Sequence, residues 1–397
     1  MDEETLQQTD NWTVATFGAA ELGDPRRTDR LVKVASALAK NPSASLPHAS
    51  ETWGETLGAY RFLNTPTVGY EDIIMPHWTQ TYHEAAGYAR TLLLADTTEI
   101  DFSTHSALEG LAPIGNSREN IGFSVHTVLT MNPQTQQILG CLTQEPFRRK
   151  LAPKGETKAQ RRKRDRESQV WEHSVQHIGR VPENCQWIYV GDSGSDVFTF
   201  WQHCQELGYD FVLRVAQDRV IEIPPGDAAE ELDENHLKTL ARALPSQSAH
   251  AVTIPAHHHH PKQEALLHLS FQNVRVHPPL NGAYVQKTEL TAWVVRVWET
   301  HPPEGVEPLE WIVLSTIPII LPADAWEVVE WYGLRWTLED FHKALKTGCH
   351  IETHFLQRVE AQWRLLAILT PIALRLLQIR TLAQQAKLDR LVGEPTP

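Results

Sequence analysis

The chain has 397 residues, of which 41 % are apolar, and a formal net charge of −13. This length allows a sizeable core divided among about two or three domains. The negative charge counts against a nucleic-acid partner, because DNA phosphates are bound by clustered Lys and Arg. The four cysteines are scattered without a close pair, which argues against a disulfide framework and a cysteine metal site. Because we find no signal sequence and no apolar run near the ~20 residues of a membrane span, we expect a cytoplasmic protein.

The first 65 residues predict a separate helical domain. The segment "GDPRRTDRLVKVASALAK" begins with a Gly-Asp-Pro cap, which is typical of a helix start. Apolar residues follow at helical spacing: Leu31, Val34, Ala35 and Leu38. Basic residues are interleaved with them: Arg26, Arg27, Arg30 and Lys33. The pattern therefore predicts a basic amphipathic helix.

From Thr91 onward, short apolar strands alternate with helical segments. The segments "TLLLAD" and "WIYVGD" predict buried strands that end in Asp96 and Asp192. The segments "FSVHTVLTMNP" and "QILGCLTQE" predict a hairpin between them. A predicted helix, "SDVFTFWQHCQELG", and a strand, "YDFVLRVA", follow the second Asp. This alternation predicts a layered α/β domain.

Residues 218–308 interrupt the alternation with β-like segments separated by Pro, Asn and Gly, so we expect an inserted β subdomain there. The core pattern resumes at "EWIVLSTIPII" and ends in a long helix. The predicted divisions are a helical domain at 1–65, a core at 66–217 and 309–385, and a tail at 386–397. The His257–His260 run lies inside the insertion, and we expect a polar loop there rather than a metal site.

Two polar features accompany these elements. Treated as one helix, "YGLRWTLEDFHKALK" brings Tyr332, Arg335, Glu339 and Lys346 within roughly 60° of one another, beside an apolar face. The stretch 148–166 holds ten basic residues against two acidic ones. Such a run is either a solvated loop or a surface for a polyanion, and the sequence leaves both open.

Three carboxylates suggest a metal site. Asp96 and Asp192 each close a predicted strand, where open α/β folds bind ligands, although either Asp alone could simply start a turn or cap a helix. Together with Glu339 they would repel one another unless divalent cations lay between them. Carboxylate oxygens suit Mg²⁺ or Mn²⁺, and this set is typical of two-metal phosphoryl transfer.

A phosphatase is the weaker alternative. The segment "IYVGDSGSD" also fits the pattern of haloacid-dehalogenase-like phosphatases, in which Gly-Asp follows an apolar strand and a second Asp comes four places later. These enzymes need another Asp two places after the first strand's Asp, and Thr98 stands there. The phosphatase interpretation also leaves the polar row from Tyr332 to Lys346 without a role.

The spacing of Tyr332, Arg335, Glu339 and Lys346 resembles the Y-R-E-K signature of DDE transposases from bacterial insertion sequences, the insertion-sequence-four family with its Tn-five-like members. "LGDPRRTDRLVKVA" and "GAYRFLNTP" resemble the family's N-terminal DNA-binding region. "LLLADTTEIDF" and "GDSGSDVF" resemble its two catalytic strands. The resemblance implies an α/β, RNase-H-like core, a mixed sheet flanked by helices, with an inserted β subdomain and an N-terminal helical DNA-binding domain.

The resemblance also implies roles for single residues. Asp96, Asp192 and Glu339 match the catalytic triad, which holds two Mg²⁺ or Mn²⁺ ions. Further positions match DNA contacts near the cut: Tyr332, Arg335, Lys346, Arg214 and Trp311. Trp311 stands where the family stacks an aromatic ring on a flipped base, although it could equally be a core residue of its strand. In the N-terminal domain, the DNA-binding candidates are Arg26, Arg27 and Arg30.

The implied activity is cut-and-paste transposition, in which strands are cleaved at terminal inverted repeats through a hairpin intermediate and joined to target DNA. The partner is double-stranded DNA, and the family acts on it as a homodimer, associated with the nucleoid. Two departures stand out. Ser193 replaces a residue that is often basic, and only 58 residues follow Glu339, so we expect the helical dimerisation region to be missing. The alternative function is a catalytically idle DNA-binding remnant or an inhibitor of transposition.

Overall fold

The computed structural model describes residues 3–105, 107–115, 119–150, 153, 155–157, 160, 166–224, 235–254, 263–279, 288–303 and 305–393. Most of the basic stretch 148–166 and all of the His257–His260 run lie outside the described residues. The expectations for these two segments therefore stay predictions.

Helices and strands alternate along much of the chain. The helices are α1 Glu3–Phe17, α2 Pro25–Lys40, α3 Leu46–Ala49, α4 Trp53–Leu63, α5 Tyr70–Ala85, α6 Gln169–Ile178, α7 Phe198–Leu207, α8 Leu237–Ala243, α9 Pro322–Leu334, α10 Thr337–Lys343 and α11 Val359–Gly393. The strands are β1 Arg90–Asp101, β2 Ala112–Pro113, β3 Ile121–Met131, β4 Ile138–Phe147, β5 Gln186–Gly191, β6 Asp210–Arg214, β7 Ile221–Glu222, β8 Ser248–Ile254, β9 Gln263–Val276, β10 Leu290–Glu299 and β11 Glu310–Ser315.

The chain folds into two compact units. Unit 1 consists of Met1–Ala89, Asp96–Lys154 and Trp336–Pro397. Unit 2 consists of Arg90–Ala95 and Gly155–Arg335. Strand β1 therefore gives its first six residues to unit 2 and the rest to unit 1.

The N-terminal part of unit 1 is helical, as the sequence predicts. Helix α2 begins as expected, because the Asp24 side chain accepts a hydrogen bond of 3.0 Å from the Arg26 backbone N–H and Pro25 is the first helical residue. The four apolar residues at helical spacing are all buried: Leu31, Val34, Ala35 and Leu38. Helix α4 begins with a capping box formed by Thr52 and Glu55.

The rest of unit 1 is built on the predicted hairpin and on the long helix α11. Strands β3 and β4 pair antiparallel, and both α5 and α11 contact β4. By length and composition, Val359–Gln384 could cross a membrane, contrary to the expectation of no such run. However, 61 % of its most apolar window is buried inside the protein, as in the core helix of a soluble protein.

Two arginines of α11 contact the N-terminal helices, and Arg364 is buried whereas Arg375 is partly buried. Arg364 donates from Nε to the Val68 carbonyl at 2.5 Å and from Nη1 to the Leu63 carbonyl at 2.9 Å. The Arg375 guanidinium lies 4.6 Å from the centre of the Trp12 ring. Burial lowers the pKa of both arginines, so these contacts compensate groups that are costly to bury. The long helix thus fixes the N-terminal helices within unit 1.

Unit 2 contains a mixed sheet flanked by helices. Its strand order is β1-β5-β6-β11-β10-β9-β7, with β8 paired to β9. The pairs β1–β5 and β5–β6 are parallel, whereas β6–β11, β10–β11 and β9–β10 are antiparallel. Helix α9 packs on this sheet, and α6 packs on α7. The prediction of an α/β fold with a mixed sheet is confirmed.

The prediction of one continuous helix over 332–346 is wrong. Helix α9 ends at Leu334, a turn occupies 335–336, and α10 begins at Thr337. The turn is tight, because the Arg335 N–H bonds to the Tyr332 carbonyl and the Glu339 N–H to the Trp336 carbonyl, three residues back in each case. A π-helical turn, Ala344–Gly348, follows α10. The rotation of about 100° per residue therefore does not hold throughout this segment, and it no longer places Tyr332, Arg335, Glu339 and Lys346 within about 60° of one another.

Candidate active site and nucleic-acid interface

The first two catalytic candidates directly follow the paired parts of two buried parallel strands. In unit 2, β1 pairs with β5 from Arg90↔Gln186 to Ala95↔Gly191, and the side chains at the centre of both strands are fully buried. Asp96 follows Ala95 in the chain, and Asp192 follows Gly191. The prediction of two buried apolar strands is therefore confirmed, and β5 stops directly before Asp192. The prediction that the first strand ends in Asp96 is wrong, because β1 continues to Asp101.

Asp192 starts a short 3₁₀ turn, Ser193–Ser195. Its Oδ1 accepts a hydrogen bond of 2.8 Å from the Gly194 N–H, and its carbonyl accepts one of 2.5 Å from the Ser195 hydroxyl. The preceding Gly191 is required by space, because a Cβ there would lie 2.6 Å from the Ser195 Oγ. The "GDSGS" segment thus turns the chain sharply and leaves the Asp192 carboxylate partly exposed.

Asp96 and Glu339 both belong to unit 1. The Asp96 Oδ1 accepts a hydrogen bond of 2.8 Å from the Thr97 N–H. Glu339 is exposed near the start of α10, and its carboxylate makes no hydrogen bond or ion pair with the residues that the structure describes. Its helix is anchored by neighbouring side chains that are fully buried: Leu338, Phe341 and Leu345.

A buried histidine links the strand of Asp96 to β3. His126 Nδ1 and the Thr97 hydroxyl are 2.9 Å apart. Burial, with a smaller contribution from nearby His342, lowers the pKa of His126 to about 3. The imidazole is therefore neutral at physiological pH, and the hydrogen bond joins two uncharged groups.

The carboxylates have the chemistry that a divalent cation requires. Among the described residues, neither Asp192 nor Glu339 forms an ion pair with Lys, Arg or His. Their oxygens are hard donors of the kind that Mg²⁺ and Mn²⁺ prefer. The Asp192 and Glu339 carboxylates therefore suit the cation that the sequence predicts.

Another possible ligand group lies in unit 2 and includes none of these carboxylates. Ligand atoms of Glu222, His277 and Glu289 all lie within 4.8 Å of one another. His277 Nδ1 is 2.9 Å from a Glu289 oxygen, and Glu222 pairs with Arg275 at 3.4 Å. Both glutamates are exposed. These contacts within the protein thus account for this group.

Three of the predicted DNA-contact residues come together in unit 2. The Trp311 and Tyr332 rings meet edge to face, with centroids 5.2 Å apart, and the Arg335 guanidinium lies 6.0 Å from the Tyr332 ring centre. Tyr332 is buried, whereas Trp311 and Arg335 are partly exposed. Tyr332 is thus placed to support the other two.

The other two predicted contacts near the cut have polar partners of their own. Arg214 ends β6, is half-buried, and its Nη2 is 3.4 Å from the Glu310 carbonyl. In unit 1, the Lys346 Nζ lies 4.0 Å from a Glu352 oxygen, which also accepts the Asp101 N–H at 3.0 Å. Glu352 thus connects Lys346 with the end of β1, a contact that no local sequence pattern indicated.

The three arginines of α2 have different surroundings. The Arg26 side chain is 89 % exposed and pairs with Asp24 at 2.9 Å. Arg27 donates to the Leu22 carbonyl at 2.9 Å. The Arg30 guanidinium packs on Gly58, where a Cβ would lie 2.6 Å from Nη1. Arg27 and Arg30 therefore stabilise the helical region, and Arg26 is the most accessible of the three.

Asp196 is structural, which argues against the phosphatase alternative. This residue, the second Asp of "GDSGSD", is 3 % exposed. Its carboxylate accepts from the Arg219 guanidinium at 2.5 and 2.8 Å and from the backbone N–H groups of Ala216 and Gln217 at 2.7 Å each. The guanidinium also lies 4.5 Å from the Trp201 ring centre. Each oxygen of this carboxylate thus accepts two hydrogen bonds from the protein itself, which leaves it no role in binding a cation or substrate.

Comparison with known families identifies the class of protein. Residues 9–68 match the family described as Transposase DNA-binding, and residues 163–372 match the family described as Transposase DDE domain. Because the second match spans more than half of the chain, the chain belongs to the DDE transposase family. DNA is therefore its partner, and its family generally uses divalent metals. The second match includes Asp192 and Glu339, whereas Asp96 lies between the two matches.

Proposed function

We propose that this chain is a cut-and-paste transposase of the Y-R-E-K subgroup, which cleaves DNA at the terminal inverted repeats of an insertion sequence and joins the freed ends to target DNA. The observation that carries the proposal is the parallel register that ends at Ala95↔Gly191, with an aspartate directly after each residue. Because the two segments resemble the catalytic strands of DDE transposases, this is the position in which we expect the first two acidic residues.

An RNase-H-like core with an inserted β part is supported by the sheet of unit 2. Strands β6 and β11 are hydrogen-bonded neighbours, with Arg214 opposite Val313. The chain between them forms β7 to β10 and α8 before it returns. Strands β7 to β10 thus extend the sheet rather than stand apart from it, because β10 pairs with β11. An insertion that continues the sheet fits residues 218–308.

In this proposal, Asp96, Asp192 and Glu339 hold two Mg²⁺ or Mn²⁺ ions. Such ions activate the attacking oxygen and neutralise charge on the leaving oxygen. The protein contributes rigid positions for the carboxylates. Glu339 projects from a helix whose neighbouring side chains are buried, and the Gly194 N–H orients the Asp192 carboxylate.

The basic and aromatic residues position DNA. Arg335 and Lys346 place positive charge beside the reacting phosphate. Trp311, supported by Tyr332, stacks on the base that leaves the duplex at the cut. Arg214 contributes a further DNA contact, and the arginines of α2 bind DNA further from the cut: Arg26, Arg27 and Arg30. The active form is a homodimer on DNA.

A cleavage assay tests the proposal. The purified protein is incubated with DNA that carries the element's own ends and with Mg²⁺ or Mn²⁺. We expect nicking by the wild-type protein, and for Glu339→Gln we expect loss of nicking with retained binding in a gel shift. Asp340→Asn is the matched control, because this neighbouring carboxylate pairs with Arg380 at 2.9 Å. If the wild-type protein binds these ends without nicking them, or if Glu339→Gln nicks equally well, the enzyme proposal fails and an idle DNA-binding protein remains.

A further inference from the structure

An exposed aromatic ring in unit 1 has no role in the site described above. Phe355, between the Ile351–Thr353 turn and α11, is 76 % exposed. Its ring stacks in parallel on the imidazole of His105, with centroids 4.5 Å apart and planes inclined by 8°. One face of the phenyl ring is thus covered by a second flat ring, although the side chain as a whole remains open to solvent.

The stack is continuous with the core of unit 1. His105 meets Phe102 edge to face at 5.4 Å, and Phe102 stacks on Phe123 at 5.7 Å. Phe123 meets Trp363 of α11 at 6.2 Å. Because Phe102 and Phe123 are fully buried, the outer rings rest on a rigid base.

Backbone hydrogen bonds hold the two segments of this stack together. The Glu109 N–H donates to the Gln357 carbonyl at 2.8 Å, and the Val359 N–H donates to the Glu109 carbonyl at 3.0 Å. The contact is close, since a Cβ at Gly110 would lie 2.8 Å from a Val359 methyl group, and Gly110 has a φ of +88°. Phe355 is therefore presented in a defined orientation before any ligand binds.

Arginines accompany the stack. Arg148 donates from Nη1 to the Gly110 carbonyl at 3.0 Å, and its guanidinium lies 5.6 Å from the Trp363 ring centre. Arg358, three residues after Phe355, is also exposed. An exposed aromatic face with an exposed arginine three residues along the chain matches a nucleotide, in which a flat base is joined to a phosphate. A purely apolar partner would gain nothing from these charges.

We propose that Phe355, backed by His105, is a stacking site for an unpaired base of DNA, with Arg358 on the adjacent phosphate. The site would act as a second base-binding position besides Trp311, carried by the other unit. This inference rests on the proposed function, because it assumes that a base leaves the duplex during the reaction.

The test uses the full chain and two DNA duplexes. One is fully paired, and the other differs only by one additional, unpaired 2-aminopurine that forms a bulge. Stacking of one base on an aromatic side chain is worth about 1–3 kcal/mol, or roughly 5- to 150-fold in affinity. We expect Phe355→Leu to lose this factor for the bulged duplex in fluorescence anisotropy and to leave affinity for the paired duplex unchanged. Phe355→Trp should retain it, and 2-aminopurine fluorescence should be quenched by the wild-type and Trp proteins only.

Other outcomes overturn the inference. Equal binding of the bulged duplex by wild type and Phe355→Leu shows that no base stacks on this ring. A change from dimer to monomer in Phe355→Leu, measured by light scattering, assigns the ring to a second copy of the chain. If wild type nicks element ends while Phe355→Leu binds the bulge normally, only this inference fails. If bulge binding depends on Phe355 but wild type never nicks, only the proposed function fails.

Discussion

The Trp311 ring stands edge-on to the Tyr332 ring, with centroids 5.2 Å apart and planes inclined by 72°. Tyr332 is only 3 % exposed, so it fixes Trp311 from within the protein. We predict that Trp311→Ala slows cleavage of element ends by about 10- to 100-fold, because the stacking of one base is lost. Trp311→Phe should stay within a few-fold of wild type.

The measurement is a single-turnover cleavage time course, with urea unfolding to separate stability from chemistry. Trp311→Ala should also lower the free energy of unfolding, because it removes the contact with Tyr332. Equal cleavage by the Ala and Phe variants would show that the aromatic face does not take part and that Trp311 is only a core residue of β11.

Loss of Asp196 should destabilise the protein strongly. Asp196→Ala leaves the Arg219 side chain, which is 7 % exposed, as a buried charge without its partner. Breaking such a pair costs about 3–5 kcal/mol in the free energy of unfolding. The control is Arg242→Ala, which removes a pair with Glu310 from a side chain that is 54 % exposed, and should cost no more than about 1 kcal/mol. Similar losses in urea unfolding of the two variants would contradict this assignment.

His77 should make the protein less stable in acid. Its Nε2 accepts the Cys141 N–H at 3.2 Å, and burial lowers its pKa from 6.5 to about 4. Between these two values the unfolded chain binds a proton that the folded protein does not, so stability is complete above pH 6.5 and falls toward pH 4. The loss for one histidine is roughly 3 kcal/mol.

Unfolding experiments between pH 4 and 7 measure this effect. His77→Gln keeps an acceptor but cannot titrate, so its stability should depend less steeply on pH than that of wild type. Some dependence will remain, because burial also lowers the pKa of His126 and His354. The exposed His83→Gln is the control and should behave as wild type. Identical slopes for His77→Gln and wild type would exclude His77 as a source of the acid sensitivity.

Substitutions of two arginines of α2 should have different effects, one on DNA affinity and the other on the free energy of unfolding. Arg26→Ala removes an exposed charge, so we expect weaker DNA binding, a salt slope lower by about one, and an unchanged free energy of unfolding. Arg27→Ala removes the hydrogen bond to the Leu22 carbonyl and should lower stability. Binding titrations at several salt concentrations and urea unfolding measure both effects. An unchanged salt slope in Arg26→Ala would exclude a phosphate contact there.

Local sequence patterns predicted the features that local physics determines. Apolar runs that end in Asp96 and Asp192 are buried strands because such runs have few other stable environments in an α/β protein. The Gly-Asp-Pro sequence before α2 forms a cap because the Asp24 side chain can reach the Arg26 N–H without help from the rest of the fold.

The features that were missed depend on contacts between distant residues. Asp196 and Arg219 are 23 positions apart, and no pattern in either segment marks them as partners. The turn at 335–336 interrupts a segment whose apolar spacing suits a continuous helix. His105 and Phe355 come from segments that only the tertiary fold brings together. Such pairs require the three-dimensional arrangement, which periodicity alone does not contain.

The first family match ends at residue 68 and the second begins at residue 163. This gap suggests that the N-terminal region could be excised as a free-standing module. The Arg364 side chain argues otherwise, because it binds the carbonyls of Leu63 and Val68 from α11, near the far end of the second match. A fragment that stops at residue 68 would leave those carbonyls without their donor and Trp12 without Arg375. Swapping DNA specificity between relatives would therefore require α11 to be transplanted together with the N-terminal helices.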